Sequence, residues 1–140
     1  MVDVLVLTNR EPDFFQKFSR CVFGDVESEY DVSYVDRKGS VLETTIRFLL
    51  MLIRSRPDLI WVAGSGFATF WTCFFGRLLP GTRVVFYHND FTYQHMRDFK
   101  DIPWWRLQIE RIQEMGPLLF CDIVGTMTEY HESYLNQKGI

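Results

Sequence analysis

Apolar residues along this chain fall into two kinds of run. Val2-Asp3-Val4-Leu5-Val6-Leu7-Thr8, Tyr30 to Val35, Asp58 to Ala63, Thr82 to Tyr87 and Cys121 to Thr126 are short and rich in β-branched or aromatic side chains. Runs of that length and composition suit strands buried on both faces. Between them, apolar positions recur every three or four residues. Phe14, Phe15, Phe18, Val22 and Phe23 have helical spacing, and Gly24 is placed to stop that helix. Ser40 is an N-cap with Glu43 at the capping-box spacing; the helix it opens runs to about Arg56, where Pro57 closes it. A third helix spans Phe67 to Leu79 and ends at Pro80-Gly81. A polar, aromatic loop reaches Asp101, and a helix begins near Pro103. Gly116-Pro117 should end or kink it. Thr128 caps a last helix reaching about Lys138.

Alternation of strand and helix predicts an α/β fold: a Rossmann-like three-layer sandwich, with a parallel sheet of five or more strands and helices on both faces. Residues 1–140 make a single domain on this reading, long enough to bury about two-thirds of the unfolded surface.

Composition narrows the function. Hydrophobic residues at 47% and charged residues at 24% are ordinary for a globular protein. A net charge of −3 argues against nucleic acid as the partner. Met1-Val2-Asp3 has no positive region, Val4 to Leu7 is too short for a signal peptide's apolar segment, and Phe48 to Ile53 is far below the roughly 20 residues of a spanning helix. Cys21, Cys73 and Cys121 are widely spaced without a CxxC pair, as in reduced thiols, so a cytoplasmic protein is expected. His88, His95 and His131 lack metal-ligand spacing, Ser65 lacks a nucleophile elbow, and neither a metal nor a cofactor is expected.

In a parallel sheet all carboxyl-terminal strand ends share one edge, where ligands bind. That edge collects Asn9-Arg10-Glu11, Asp36-Arg37-Lys38, Gly64-Ser65-Gly66, His88-Asn89-Asp90 and Thr126 to Glu129. Any one of these loops could be polar merely because it is solvated. His88 stands out: a rigid strand of Val, Phe and Tyr delivers it with two polar neighbours, and it could act as a base or donate to a sugar hydroxyl. The alternative is an imidazole satisfied by a backbone carbonyl. Gly64-Ser65-Gly66 is partly like a dinucleotide fingerprint, with Thr69 in place of the third glycine and Asp90 loosely matching its ribose-binding acid.

The aromatic content, 16%, concentrates in the third helix. Phe67, Phe70, Trp71, Phe74, Phe75 and Leu78 form one stripe; Ala68, Thr69, Thr72, Cys73 and Gly76 form a small-residue face that could lie close on the sheet. With the apolar helix from Val41 to Ile53 and Trp104-Trp105, the stripe suits a partner domain or a peripheral membrane contact. Arg47, Arg54, Arg56 and Arg77 would meet anionic headgroups there.

Three segments carry a family likeness. Pro57-Asp58-Leu59-Ile60-Trp61-Val62, the valine-rich strand leading into His88-Asn89-Asp90, and Cys121-Asp122-Ile123-Val124-Gly125-Thr126-Met127-Thr128-Glu129 with Tyr134-Leu135 after it resemble the amino-terminal, acceptor-side half of a GT-B glycosyltransferase of family 4. The resemblance implies transfer of a sugar from a nucleotide-sugar donor to a sugar or lipid-linked acceptor at the inner face of a membrane. It assigns His88 the catalytic contact with the donor sugar. Asn9, Arg10, Ser65, Gly66, Asn89, Asp90, Thr128 and Glu129 would line the substrate pocket. The family's Gly-Gly turn after the first strand is Asn9-Arg10-Glu11-Pro12-Asp13 here, and the family's second, donor-binding domain would follow Ile140, in the same or another chain. By itself the 140-residue chain is expected to be inactive. The rival readings are an NAD- or nucleotide-binding enzyme domain and a flavodoxin-like interaction module.

Overall fold

A computed structural model describes residues 1–9, 12–24, 29–89, 91–99 and 101–139, with side chains except those of 12–16, 19 and 99. Arg10 and Asp90 lie outside the described residues. Five strands, β1 (Val2–Thr8), β2 (Tyr30–Asp36), β3 (Leu59–Ala63), β4 (Arg83–His88) and β5 (Ile123–Thr126), form one sheet in the order β2-β1-β3-β4-β5. Every neighbouring pair is parallel. Six helices accompany them: α1 (Pro12–Phe23), α2 (Val41–Ser55), α3 (Phe67–Leu78), α4 (Thr92–Phe99), α5 (Trp104–Phe120) and α6 (Glu129–Gln137). The α/β, Rossmann-like expectation holds.

Successive strand residues point to opposite faces, and the two faces have separate cores. Leu5, Leu7, Ile60, Val62, Val84 and Phe86 pack with Phe48 and Leu52 of α2, Ala68 and Cys73 of α3, Leu118 of α5 and Leu135 of α6. On the other face Val4 and Val6 meet Phe23 of α1, with Tyr30, Val32, Tyr34, Leu59 and Trp61 around them.

Local sequence accounts for the best-defined ends. Ser40 Oγ accepts the Glu43 N–H at 3.2 Å, and Glu43 accepts the Ser40 N–H at 2.6 Å, completing the expected capping box. α3 lies on the sheet by its small face: Ala68, Thr69, Thr72, Cys73 and Gly76 are its buried residues. A Cβ on Gly76 would come within 2.6 Å of Ile60 Cδ1, so a larger residue would displace either that buried side chain or the helix.

Two expectations are corrected. The segment before Asp101 is not loop throughout, since Thr92–Phe99 forms α4. Its first turn has a distant acceptor: the Tyr93 N–H donates to Glu114 Oε2 of α5 at 2.6 Å. Nor, of the two outcomes expected at Gly116-Pro117, does the helix end there: it continues to Phe120 with Pro117 inside it. Gly116 has no Cβ to clash with the proline ring behind it. Its bare side accepts the Phe70 ring, where a Cβ would sit 2.4 Å from Cδ2. Packing on α3 thus holds a segment that local preference would break.

Candidate functional site

The carboxyl-terminal strand ends do share an edge, and the expected residues gather there in two groups. The first is at the end of β1 and β3. Asn9 Nδ2 donates to the Ser65 carbonyl at 3.1 Å. Gly64 and Gly66 have φ of 85° and 143°, and Thr69 Oγ1 donates to the Gly64 carbonyl at 2.5 Å. Thr69 therefore closes the turn from inside, at the place where a dinucleotide fingerprint has its third glycine. Gly66 opens α3 with no side-chain cap. α1 packs with one core and α2 and α3 with the other, so the neighbouring strands β1 and β3 flank the point where the helices change sides, the position at which open sheets form a crevice.

The second group surrounds the end of β4. His88 continues the series Val84, Phe86, His88 on the face covered by α5 and α6, and its side chain is 1% exposed. The period-two alternation sets its direction. Its ring lies 5.8 Å from Phe86, 5.8 Å from Phe91 and 5.3 Å from the perpendicular ring of His131. Nε2 stands 3.6 Å from Glu114 Oε1, within ion-pair range once the imidazole carries a proton but too long for a hydrogen bond. Glu114 is itself 2% exposed.

Among the described residues, neither ring nitrogen of His88 has a hydrogen-bond partner, and the same is true of His131 Nε2 and Asn89 Oδ1. Buried polar atoms seldom go unpaired. Four of them at one strand end form a set of donors and acceptors suited to a hydroxyl-rich ligand. Burial holds the His131 imidazole below the usual histidine range, His88 pushes it down further, and Glu114 opposes both. Its ring stacks on Phe91 with centroids 4.0 Å apart.

Thr128 and Glu129 serve differently. Thr128 Oγ1 accepts the His131 N–H at 3.2 Å, capping α6, and Glu129 is exposed in the first turn. Glu114, Phe91 and His131 are the members that sequence reasoning missed. The available signal was Glu114, a carboxylate on the apolar side of a helix. Among the described residues no group of three or more His, Cys, Asp or Glu side chains could hold a metal ion, and no helix is long and apolar enough to cross a membrane.

No protein-family model matches the chain, and no curated protein matches it. Solved structures do. A protein named for UDP-N-acetylglucosamine 2-epimerase from Listeria monocytogenes superposes with a TM-score of 0.69 at 13% identity, over 99% of this chain and 42% of its own. UDP-GlcNAc 2-epimerase from Methanocaldococcus jannaschii gives 0.65 at 14% identity, over 99% and 43%. A co-structure of S. aureus MnaA with UDP gives 0.70 at 10% identity, over 100% and 43%. The chain thus has the fold of less than half of each of these proteins.

Proposed function

We propose that these residues form the acceptor-side domain of a nucleotide-sugar-dependent glycosyltransferase of GT-B type, resembling family 4. The observation that carries this reading is the buried His88–Glu114 pair, with unpartnered polar atoms beside it, at the strand end where ligands bind in open α/β sheets. The likeness to sugar-nucleotide enzymes, one of them holding UDP, adds support.

In this reading the site opens when a second, donor-binding half closes over the edge. His88 then donates to or takes a proton from a sugar hydroxyl, with Glu114 beside the imidazole to position it. Asn89 shapes the same pocket. Asn9, Ser65 and Gly66 line the crevice between β1 and β3, where the free N–H groups at the start of α3 suit an anionic substrate group. Catalysis comes from positioning and electrostatic stabilisation between two halves, so the 140 residues alone transfer no sugar. Three free cysteines support a reducing, cytoplasmic location.

Two of the structural neighbours, named for UDP-GlcNAc 2-epimerase, favour a second reading, epimerisation of the nucleotide sugar itself. The protein at its full encoded length, incubated with UDP-sugars and a panel of acceptors, separates the two. Transfer releases UDP and needs an acceptor; epimerisation changes the sugar's NMR spectrum without one. His88→Ala should lower transfer at least about a hundredfold, the scale of a lost proton-transfer group. Unchanged turnover in that variant would remove His88 from the site. Tight NAD binding by the isolated chain would favour a dinucleotide-binding domain instead.

A further inference from the structure

The aromatic surface that α3 turns away from the sheet does not stop at α3. α2 packs along one flank and α5 along the other. Leu42, Ile46 and Ile53 of α2, Leu78 of α3, and Trp105 and Ile112 of α5 are each at least half exposed. An apolar groove of about 160 Å³ runs between Leu49 and Ile53 of α2 and Phe75 and Leu78 of α3. Isolated exposed apolar side chains are normal, but an apolar surface continuous over three helices marks a contact site.

Charge indicates what it contacts. Arg47, Arg54, Arg56, Arg106 and Arg111 lie on these helices or at the α2 terminus, with Arg77 of α3 paired to Asp122, against Glu43, Glu110 and the buried Glu114. Arginine therefore outnumbers carboxylate along these apolar helices, although the chain as a whole has a net charge of −3. Arginine binds phosphate through a planar fork of donors while its stem rests on apolar surface. Tryptophan settles at the level of lipid headgroups, and Trp104 and Trp105, 74% and 60% exposed, open α5.

We propose that the α2–α3–α5 face docks flat on an anionic phospholipid surface, with the α2–α3 groove taking apolar chain segments and the arginines meeting headgroup phosphates. This contact concerns a different face from the strand-end site, so it stands whichever sugar chemistry that site performs.

The test is sedimentation of the purified chain with two kinds of vesicle, pure phosphatidylcholine and phosphatidylcholine mixed with phosphatidylglycerol, at low and raised salt. The chain should pellet with the mixed vesicles, remain in solution with the neutral ones, and detach as salt screens the charges. Arg54→Gln and Arg111→Gln should each weaken partitioning roughly fivefold. Trp105→Ser and Leu78→Ser should weaken it at both salt levels, with unchanged circular dichroism. No pelleting with mixed vesicles at low salt, or equal pelleting with both kinds, would overturn the proposal. So would a soluble dimer, seen in analytical ultracentrifugation, that Leu78→Asp dissolves, since a second copy would then cover the face.

Discussion

The side-chain amide of Asn9 fills the space that any side chain at position 66 would need: a Cβ built on Gly66 would lie 2.4 Å from Asn9 Nδ2. Gly66 also has φ 143° and ψ 177°, a region that is essentially glycine's alone. Gly66→Ala should therefore cost about 1–3 kcal/mol, read as a lower urea midpoint. Adding Asn9→Ala should restore only part of the loss, because the clash goes and the backbone strain stays. Full restoration would mean the amide contact was the whole effect.

Glu114→Ala removes the acceptor for the Tyr93 N–H and leaves a void beside His88. An orphaned donor and a small cavity together should cost about 3 kcal/mol. Glu114→Gln keeps an oxygen for the N–H and should cost less. Hydrogen exchange at the first turn of α4 gives the sharper measurement. It should accelerate strongly in the alanine variant and little in the glutamine variant.

His131 sets an acid dependence. With its folded pKa depressed by burial, it binds a proton less readily folded than unfolded. Its contribution to stability is therefore constant above about pH 6.5, the unfolded value, and declines as pH falls below it. Melting temperatures measured down that range should fall, and His131→Gln, which cannot titrate, should make the decline shallower. An unchanged slope would place the acid sensitivity elsewhere.

The cysteines should react in a fixed order. Cys21 is exposed, whereas burial, with Cys121 nearby, pushes the Cys73 thiol far up, and burial pushes Cys121 up to about 11. Since thiolate is the reactive form, iodoacetamide at mildly alkaline pH should label Cys21 first. Intact-mass analysis should show one adduct on the folded chain and three after unfolding in urea.

Features written in neighbouring residues were legible. Ser40 and Glu43 stand three apart, and the capping box follows from that spacing. The small face of α3 can be read off a helical wheel, and it is the face that meets the sheet. What stayed hidden depends on residues far apart in the chain. α4 needs a carboxylate from α5, and α5 passes Pro117 because Phe70 of α3 fits against Gly116. The direction of His88 was available in principle: Val84 and Phe86 are buried on one face, and the alternation carries His88 to the same side. That it ends beside Glu114 and His131 needs the packing of α5 and α6, which no spacing in the chain reveals.

One oxygen of Glu114 fastens the start of α4 while the other faces the imidazole of His88. Two events remote in sequence are thereby linked functions of a single group. Unfastening α4 frees the carboxyl group to rotate away from the imidazole, and a ligand that displaces the carboxyl group from the imidazole disturbs the anchor of α4. By reciprocity, the free energy with which opening of the helix alters binding of a ligand at the imidazole equals that with which the ligand alters the opening.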